Sequence, residues 1–238
     1  NGPAAGLVAR VRAGHHGPGD KQTTAGGGQD CDGVGTGASE RSLGEAGRLT
    51  GEGAWKLVME ANGPEMDSVE ANALEFIRRV AKRNPVPVVV SFSGGKDSLA
   101  TLLLVLDAGL RPSMLFLDTG LEFPDTVRHV EETASRHGLE LVCARAGDAF
   151  WRSLDHFGPP GRDYRWCCKT CKLGPASRTV WERFPDGMLA FIGQRAYESV
   201  QRSRKGTVWE NPWVRGQTGA SPIQHWTALH VWLTIRRR

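Results

Sequence analysis

Residues 86–109, VPVVVSFSGGKDSLATLLLVLDAG, constrain the fold more than any other stretch. The unbroken β-branched run over 86–92 predicts a strand buried on both faces. Two glycines then turn the chain, and a leucine-rich helix follows until Gly109. The same unit recurs. SMLFLD predicts a second buried strand, FPDTVRHVEETASRHG a helix opened by Pro124 and closed by Gly138, LELVCA a third strand and GMLAFIG a fourth. Strands alternating with helices imply an α/β fold, a doubly wound parallel sheet with helices on both faces. Ligands of such sheets sit at the carboxyl ends of the strands.

Ahead of this core, Asp67 with Glu70 three residues on reads as a capping box. Val69, Ala73, Ile77 and Val80 then repeat at helical spacing until Asn84 and Pro85 end the helix. Residues 1–53 differ: they are rich in Gly, Ala, Ser and Thr and show neither period, so a low-complexity, disordered segment or the remnant of a truncated region is expected. Cys31, His15 and His16 inside it read as solvated coil. The ordered domain is expected over 67–238. With 238 residues, 39% hydrophobic and 24% charged, the chain can bury one sizeable core. A net charge of +4 argues only mildly for anionic partners. No stretch approaches the about 18 apolar residues of a membrane span, and no secretory signal opens the sequence, which points to the cytoplasm. The absent initiator Met and the basic LTIRRR end lead to the expectation of a fragment.

The loop Ser93, Gly94, Gly95, Lys96, Asp97, Ser98 falls between the first strand and its helix. Unpaired amides and the helix dipole there favour an anion. The glycines admit close backbone approach, Lys96 adds charge, and the serines add hydroxyls. The pattern is not a Walker A loop, since Val90 holds the position of the first glycine and Asp97 follows Lys96.

S-G-G-K-D-S resembles the PP-loop of the adenine nucleotide α-hydrolase-like superfamily, whose members bind ATP or an adenylyl sulfate. Three further segments agree in order. LFLDTGLEFPDT is similar to a segment of the phosphoadenylyl-sulfate (PAPS) and adenylyl-sulfate (APS) reductase family, which implies that Asp118, Thr119 and Gly120 border the nucleotide. GQRAYESVQR is similar to another, carried by Gly193, Arg195, Ser199 and Arg202. Guanidinium forks suit sulfate and phosphate oxygens. SPIQHWTALHVWLTI is similar to a helix of the family in which Pro222, Trp226, Val231 and Trp232 are expected to pack on the body.

Five cysteines, three of them at Cys167, Cys168 and Cys171, do not suggest a secreted disulfide framework. In the iron–sulfur branch of the family a Cys-Cys pair joins a second pair roughly eighty residues downstream to hold a [4Fe–4S] cluster. That span passes Arg238, so the resemblance implies a cluster incomplete in this chain, with zinc as the alternative metal. The extra Cys171 makes a CCxxC pattern, closer to archaeal-type reductase-like proteins. Cys143, ending a buried strand, reads as core.

The resemblance implies a thiol-dependent reductase in sulfate assimilation that converts PAPS or APS to sulfite and an adenosine nucleotide. A cysteine thiolate would attack the sulfur, and a thioredoxin-like or other thiol donor would release sulfite. The family's C-terminal nucleophile has no match here, so the catalytic residue stays unassigned, and these residues alone are expected to bind without turnover. The alternative is an ATP-dependent PP-loop enzyme that adenylates, or transfers sulfur to, a tRNA or another acceptor and releases pyrophosphate; only this reading involves nucleic acid. A third is a nucleotide sensor without turnover. Homo-oligomer formation stays open.

Overall fold

The computed structural model describes residues 51–238. Cys31, His15, His16 and all but the last three residues of the 1–53 segment lie outside them. Those three residues open helix α1 (Gly51–Ala61), and α2 (Gly63–Arg83) follows. The capping box expected at Asp67 is therefore incorrect, because Asp67 and Glu70 lie inside α2. The physical reason is a different use of the carboxylates. Glu70 accepts from Thr234 Oγ1 at 2.8 Å and Arg238 Nη1 at 2.9 Å, and Asp67 accepts from Arg237. Pro64 in the first turn of α2 instead pre-sets the helix start.

The expected alternation follows in order: β1 (Val88–Ser91), α3 (Lys96–Asp107), β2 (Ser113–Asp118), α4 (Pro124–His137), β3 (Leu141–Arg145) and α5 (Ala149–Phe157). A continuous helical stretch comes next, made of α6 (Trp166–Cys168), a π-helical turn (Lys169–Leu173) and α7 (Gly174–Arg183). Beyond it lie β4 (Met188–Ile192), α8 (Val200–Ser203), β5 (Val208–Glu210), β6 (Gln217–Ala220) and α9 (Ala228–Arg236).

The strands form one sheet in the order β3-β2-β1-β4-β6-β5, parallel except for the β5–β6 pair. Successive connections run outward through β2 and β3, then return to the far side of β1 for β4. The carboxyl ends of β1 and β4 thus flank the topological switch point, where a crevice opens.

Alternation along the strands fills two cores. Val90, Met114, Phe116, Leu189 and Phe191 face helices α2, α3, α4 and α9, where Ile77, Leu102, Leu104, Val130 and Val231 meet them. Val89, Leu115, Val142, Met188 and Ala190 face the other way, against Ala176 and Val180 of α7. Burying each of the larger aliphatic side chains stabilises by about 1.5–3 kcal/mol. A strand between two such layers has no polar face, which is why Val88, Val89 and Val90 follow one another without alternation.

Helix α9 begins at Thr227, whose hydroxyl accepts from the His230 amide at 3.3 Å. Pro222, Trp226 and Val231 pack inward as expected, but Trp232 is 45% exposed. Trp232 directly follows the buried Val231 on a helix, so it points away from the body.

Candidate nucleotide site

The loop that starts at Ser93 is folded by its own polar atoms. The Ser98 hydroxyl donates to Gly95 O at 2.8 Å and accepts from the Ser93 amide at 3.2 Å. Gly94 adopts φ +77°, a conformation that L side chains rarely take. Gly95 is the N-cap of α3 and makes no side-chain cap, so the first amides of this 12-residue helix have no side-chain partner at the cap.

Two sequence-distant segments meet here. Arg195 Nε donates to Asp97 Oδ1 at 2.8 Å, and Lys96 Nζ to Asp97 Oδ2 at 2.7 Å. Gly193 leaves β4 so close to the loop that a Cβ on it would stand 2.5 Å from Asp97 O. Only glycine allows that approach. The buried Gln194 and Gln224 continue the framework: Ser221 Oγ donates to Gln194 O at 2.8 Å, and Gln224 Nε2 to Arg202 O at 2.8 Å.

A cavity of about 300 Å³ occupies the switch point. Its apolar walls come from Phe92, Leu115, Leu117 and Ile192, and its polar rim from Ser93, Ser98, Gly193 and Arg202. Ser199 caps α8 by accepting from the Arg202 amide at 3.2 Å, while the Arg202 guanidinium pairs with Glu198. Glu198 also accepts from the Arg195 amide at 2.8 Å, tying the two arginines to one carboxylate.

Asp118, Thr119 and Gly120 stand at the end of β2 and do not line this cavity. Asp118 accepts from the Gly120 amide at 2.9 Å, and Thr119 donates to Glu122 at 2.8 Å. Glu122 does reach the cavity, as does Lys172 of the π-helical turn. Neither stood out in the sequence: Glu122 lay inside the DTGLEFP segment without a distinguishing spacing, and Lys172 looked like a flank of the cysteines.

Cys167 and Cys168 are half-buried and Cys171 is buried, with Thr170 Oγ1 at 3.4 Å from its sulfur. Among the described residues, no set of three His, Cys, Asp or Glu side chains is arranged to hold a metal ion. The three thiols lie within one helical stretch, Cys168 and Cys171 three residues apart on it. Cys143 lies half-buried on β3 against the main core. Burial pushes its thiol up, opposed by Arg145 and aided by Asp118 and Glu131. Among the described residues, no helix is long and apolar enough to cross a membrane.

Of the expected anion-site residues, Ser93, Ser98, Gly193 and Arg202 line the cavity, while Gly94, Gly95, Lys96, Asp97, Arg195 and Ser199 stand outside its lining. The polar loop at the switch point of a doubly wound sheet agrees with the resemblance to PP-loop proteins of the adenine nucleotide α-hydrolase-like class. Residues 87–238 match the model of the phosphoadenosine phosphosulfate reductase domain, and the chain belongs to that family. An uncharacterized protein of Methanocaldococcus jannaschii is 42% identical over 187 residues, covering 78% of this chain and 39% of the relative. A sulfate adenylyltransferase subunit 2 of Hyphomonas neptunium is 27% identical over 72% of this chain and 58% of the relative. A phosphoadenosine 5'-phosphosulfate reductase of Gloeobacter violaceus is 27% identical over 63% of this chain and 62% of the relative. The chain thus spans between about two fifths and three fifths of the length of these relatives. The crystal structure of PAPS reductase from Candida auris in complex with phosphate shares the fold, with a TM-score of 0.52 at 18% identity over 72% of this chain and 84% of that one.

Proposed function

We propose that the crevice holds the anionic end of an adenylyl sulfate, PAPS or APS, for thiol-dependent reduction to sulfite in sulfate assimilation in the cytoplasm. The observation that carries this reading is the junction at Asp97, which fixes Lys96 and Arg195 beside the free amides of α3. Charge-assisted donors in a partly dry crevice suit a sulfonyl or phosphoryl group. The apolar walls of Leu115, Leu117 and Ile192 suit a flat purine. Membership of the reductase family and the relative named a PAPS reductase support the same ligand class.

In the reaction, a thiolate bonds to the sulfate sulfur and the S–O bond to the phosphate breaks, so the nucleotide leaves with that electron pair. A second thiolate attacks the thiol sulfur of the resulting S-sulfonate, giving a disulfide and sulfite. Sulfur(VI) becomes sulfur(IV), and two thiols are oxidised. Lys96, Arg195 and Arg202 would hold the leaving nucleotide's charge. The nucleophile is not assigned to a residue of this chain, and the donor is a thioredoxin-like protein or another thiol.

A second reading has support of its own. A relative named a sulfate adenylyltransferase subunit favours ATP-dependent adenylation with release of pyrophosphate. Incubation of the protein with PAPS, APS and a dithiol, and separately with ATP and Mg²⁺, distinguishes them. Sulfite supports reduction; pyrophosphate without sulfite supports adenylation; failure of every nucleotide to bind overturns both.

A further inference from the structure

Two of the clustered cysteines are placed for thiol–disulfide chemistry. Cys168 and Cys171 are three residues apart in the continuous helical stretch that runs from Trp166 to Arg183. That spacing sets their Cα atoms about 5 Å apart, inside the roughly 4.4–6.8 Å range of disulfides. Cys168 is half-buried and reachable, whereas Cys171 is 3% exposed. One accessible and one shielded sulfur is the asymmetry of a dithiol in which the outer sulfur reacts first and the inner one resolves. Cys167, adjacent to Cys168, would close a strained small ring with it and is a poorer partner. Exposed Arg165, Lys169 and Lys172 surround the pair and draw anionic reactants.

We infer that Cys168 and Cys171 form a reversible disulfide site, oxidised by small anionic disulfides of the glutathione class. The Cys168 thiolate attacks the small disulfide, forms a mixed disulfide and expels one small thiolate. The Cys171 thiolate then attacks Cys168 Sγ and expels the second. Two protein thiols are oxidised as one small disulfide is reduced to two thiols.

The bond also acts on the crevice. Helical neighbours at this spacing keep their Cβ atoms about 5–6 Å apart, and a disulfide needs roughly 3.5–4.5 Å. The helix must tighten, and the wide π-helical turn between Lys169 and Leu173 is where it can give. Lys172 sits in that turn, next to Cys171, and lines the cavity. Oxidation therefore shifts a cation at the anion site. This coupling rests on the nucleotide reading above; the disulfide does not.

The whole protein, equilibrated anaerobically in a series of reduced and oxidised glutathione mixtures, is acid-quenched, alkylated and mapped by mass spectrometry, with ATP affinity measured by calorimetry at both ends of the series. Expected is a dithiothreitol-reversible Cys168–Cys171 link that joins peptides cut at Lys169, with Cys143 free throughout. Cys171→Ser should leave Cys168 as a mixed disulfide with glutathione, and Cys168→Ala, a milder change at a less buried site, should leave Cys171 free. Thiols that stay free at the most oxidising mixture, a Cys167–Cys171 link, or stoichiometric iron or zinc held by these sulfurs would each overturn the site. ATP affinity is expected to differ by about fivefold, the low end of coupling between sites. Equal affinity in both states overturns the coupling to Lys172. No ATP binding in either state, with the disulfide formed, defeats the nucleotide reading while supporting the site.

Discussion

Arg195 and Asp97 lie 98 positions apart, yet Arg195 Nε donates to Asp97 Oδ1 at 2.8 Å with both side chains largely buried. One nitrogen of the guanidinium is thereby spent on orientation, and its two terminal nitrogens stay available to an anion. Arg195→Lys should lose the orientation and the fork together. Affinity for PAPS, APS or ATP should fall by about tenfold or more, the loss of one charge-assisted hydrogen bond. Adenosine affinity should persist, since adenosine lacks the anionic group. Parallel losses for adenosine and nucleotide in calorimetry would show a structural defect.

Lys96 is also held by Asp97, at 2.7 Å, and is only 28% exposed. Lys96→Ala is expected to weaken nucleotide binding by about 1–3 kcal/mol, the range for a hydrogen bond to a charged group. Asp97 then keeps Arg195 as its partner, so the urea midpoint should move little. A large drop in that midpoint would reassign Lys96 to stability.

Gly193→Ala places a methyl group 2.5 Å from a backbone oxygen, where no flexible side chain can yield. The strand end and the loop must separate. We expect a stability loss of about 1–3 kcal/mol, typical of overpacking, together with loss of detectable nucleotide binding. Gly206→Ala, whose Cβ would come no nearer than 3.4 Å to Val208 O, is the control and should behave like the unmodified protein.

The thiol of Cys143 is pushed up, chiefly by burial. The folded protein therefore holds this proton more tightly than the unfolded chain does. The resulting stability is fully present below the unfolded thiol's range, about 8.5, and is lost as pH rises through the folded value. Cys143→Ala should flatten the alkaline limb of stability measured by urea denaturation between roughly pH 8 and 10. An unchanged alkaline limb would assign that loss to other groups.

The parallel core was legible because its signal is local. Val89 and Val90 face opposite layers, so every residue of β1 had to be apolar or small, and a run without polar alternation announced it. The nucleotide loop was legible for a similar reason, since glycines, Lys96 and two serines are contiguous. Strands β5 and β6 were not. Each has three or four residues, and QTGA carries no apolar run. Their pairing depends on a fit between distant residues: Trp209 lies directly over Gly219, where a Cβ would meet the indole at 2.6 Å. Glu70 misled for the complementary reason, because its partners Thr234 and Arg238 lie more than 160 positions away. Spacing rules cannot see such contacts.

Helix α3 is pinned at both ends. At its head Asp97 meets Arg195. At its tail Asp107 meets Arg238 Nε at 2.5 Å, and Arg78 Nε donates to the Ala108 carbonyl at 3.3 Å. Arg238, just past α9, in turn reaches Glu70 on α2, so the tail is braced by α2 and by the segment that follows α9. Such a strut cannot slide along its axis to meet a ligand. The amides at its head are preorganised, and the entropy of ordering them is spent during folding rather than at binding.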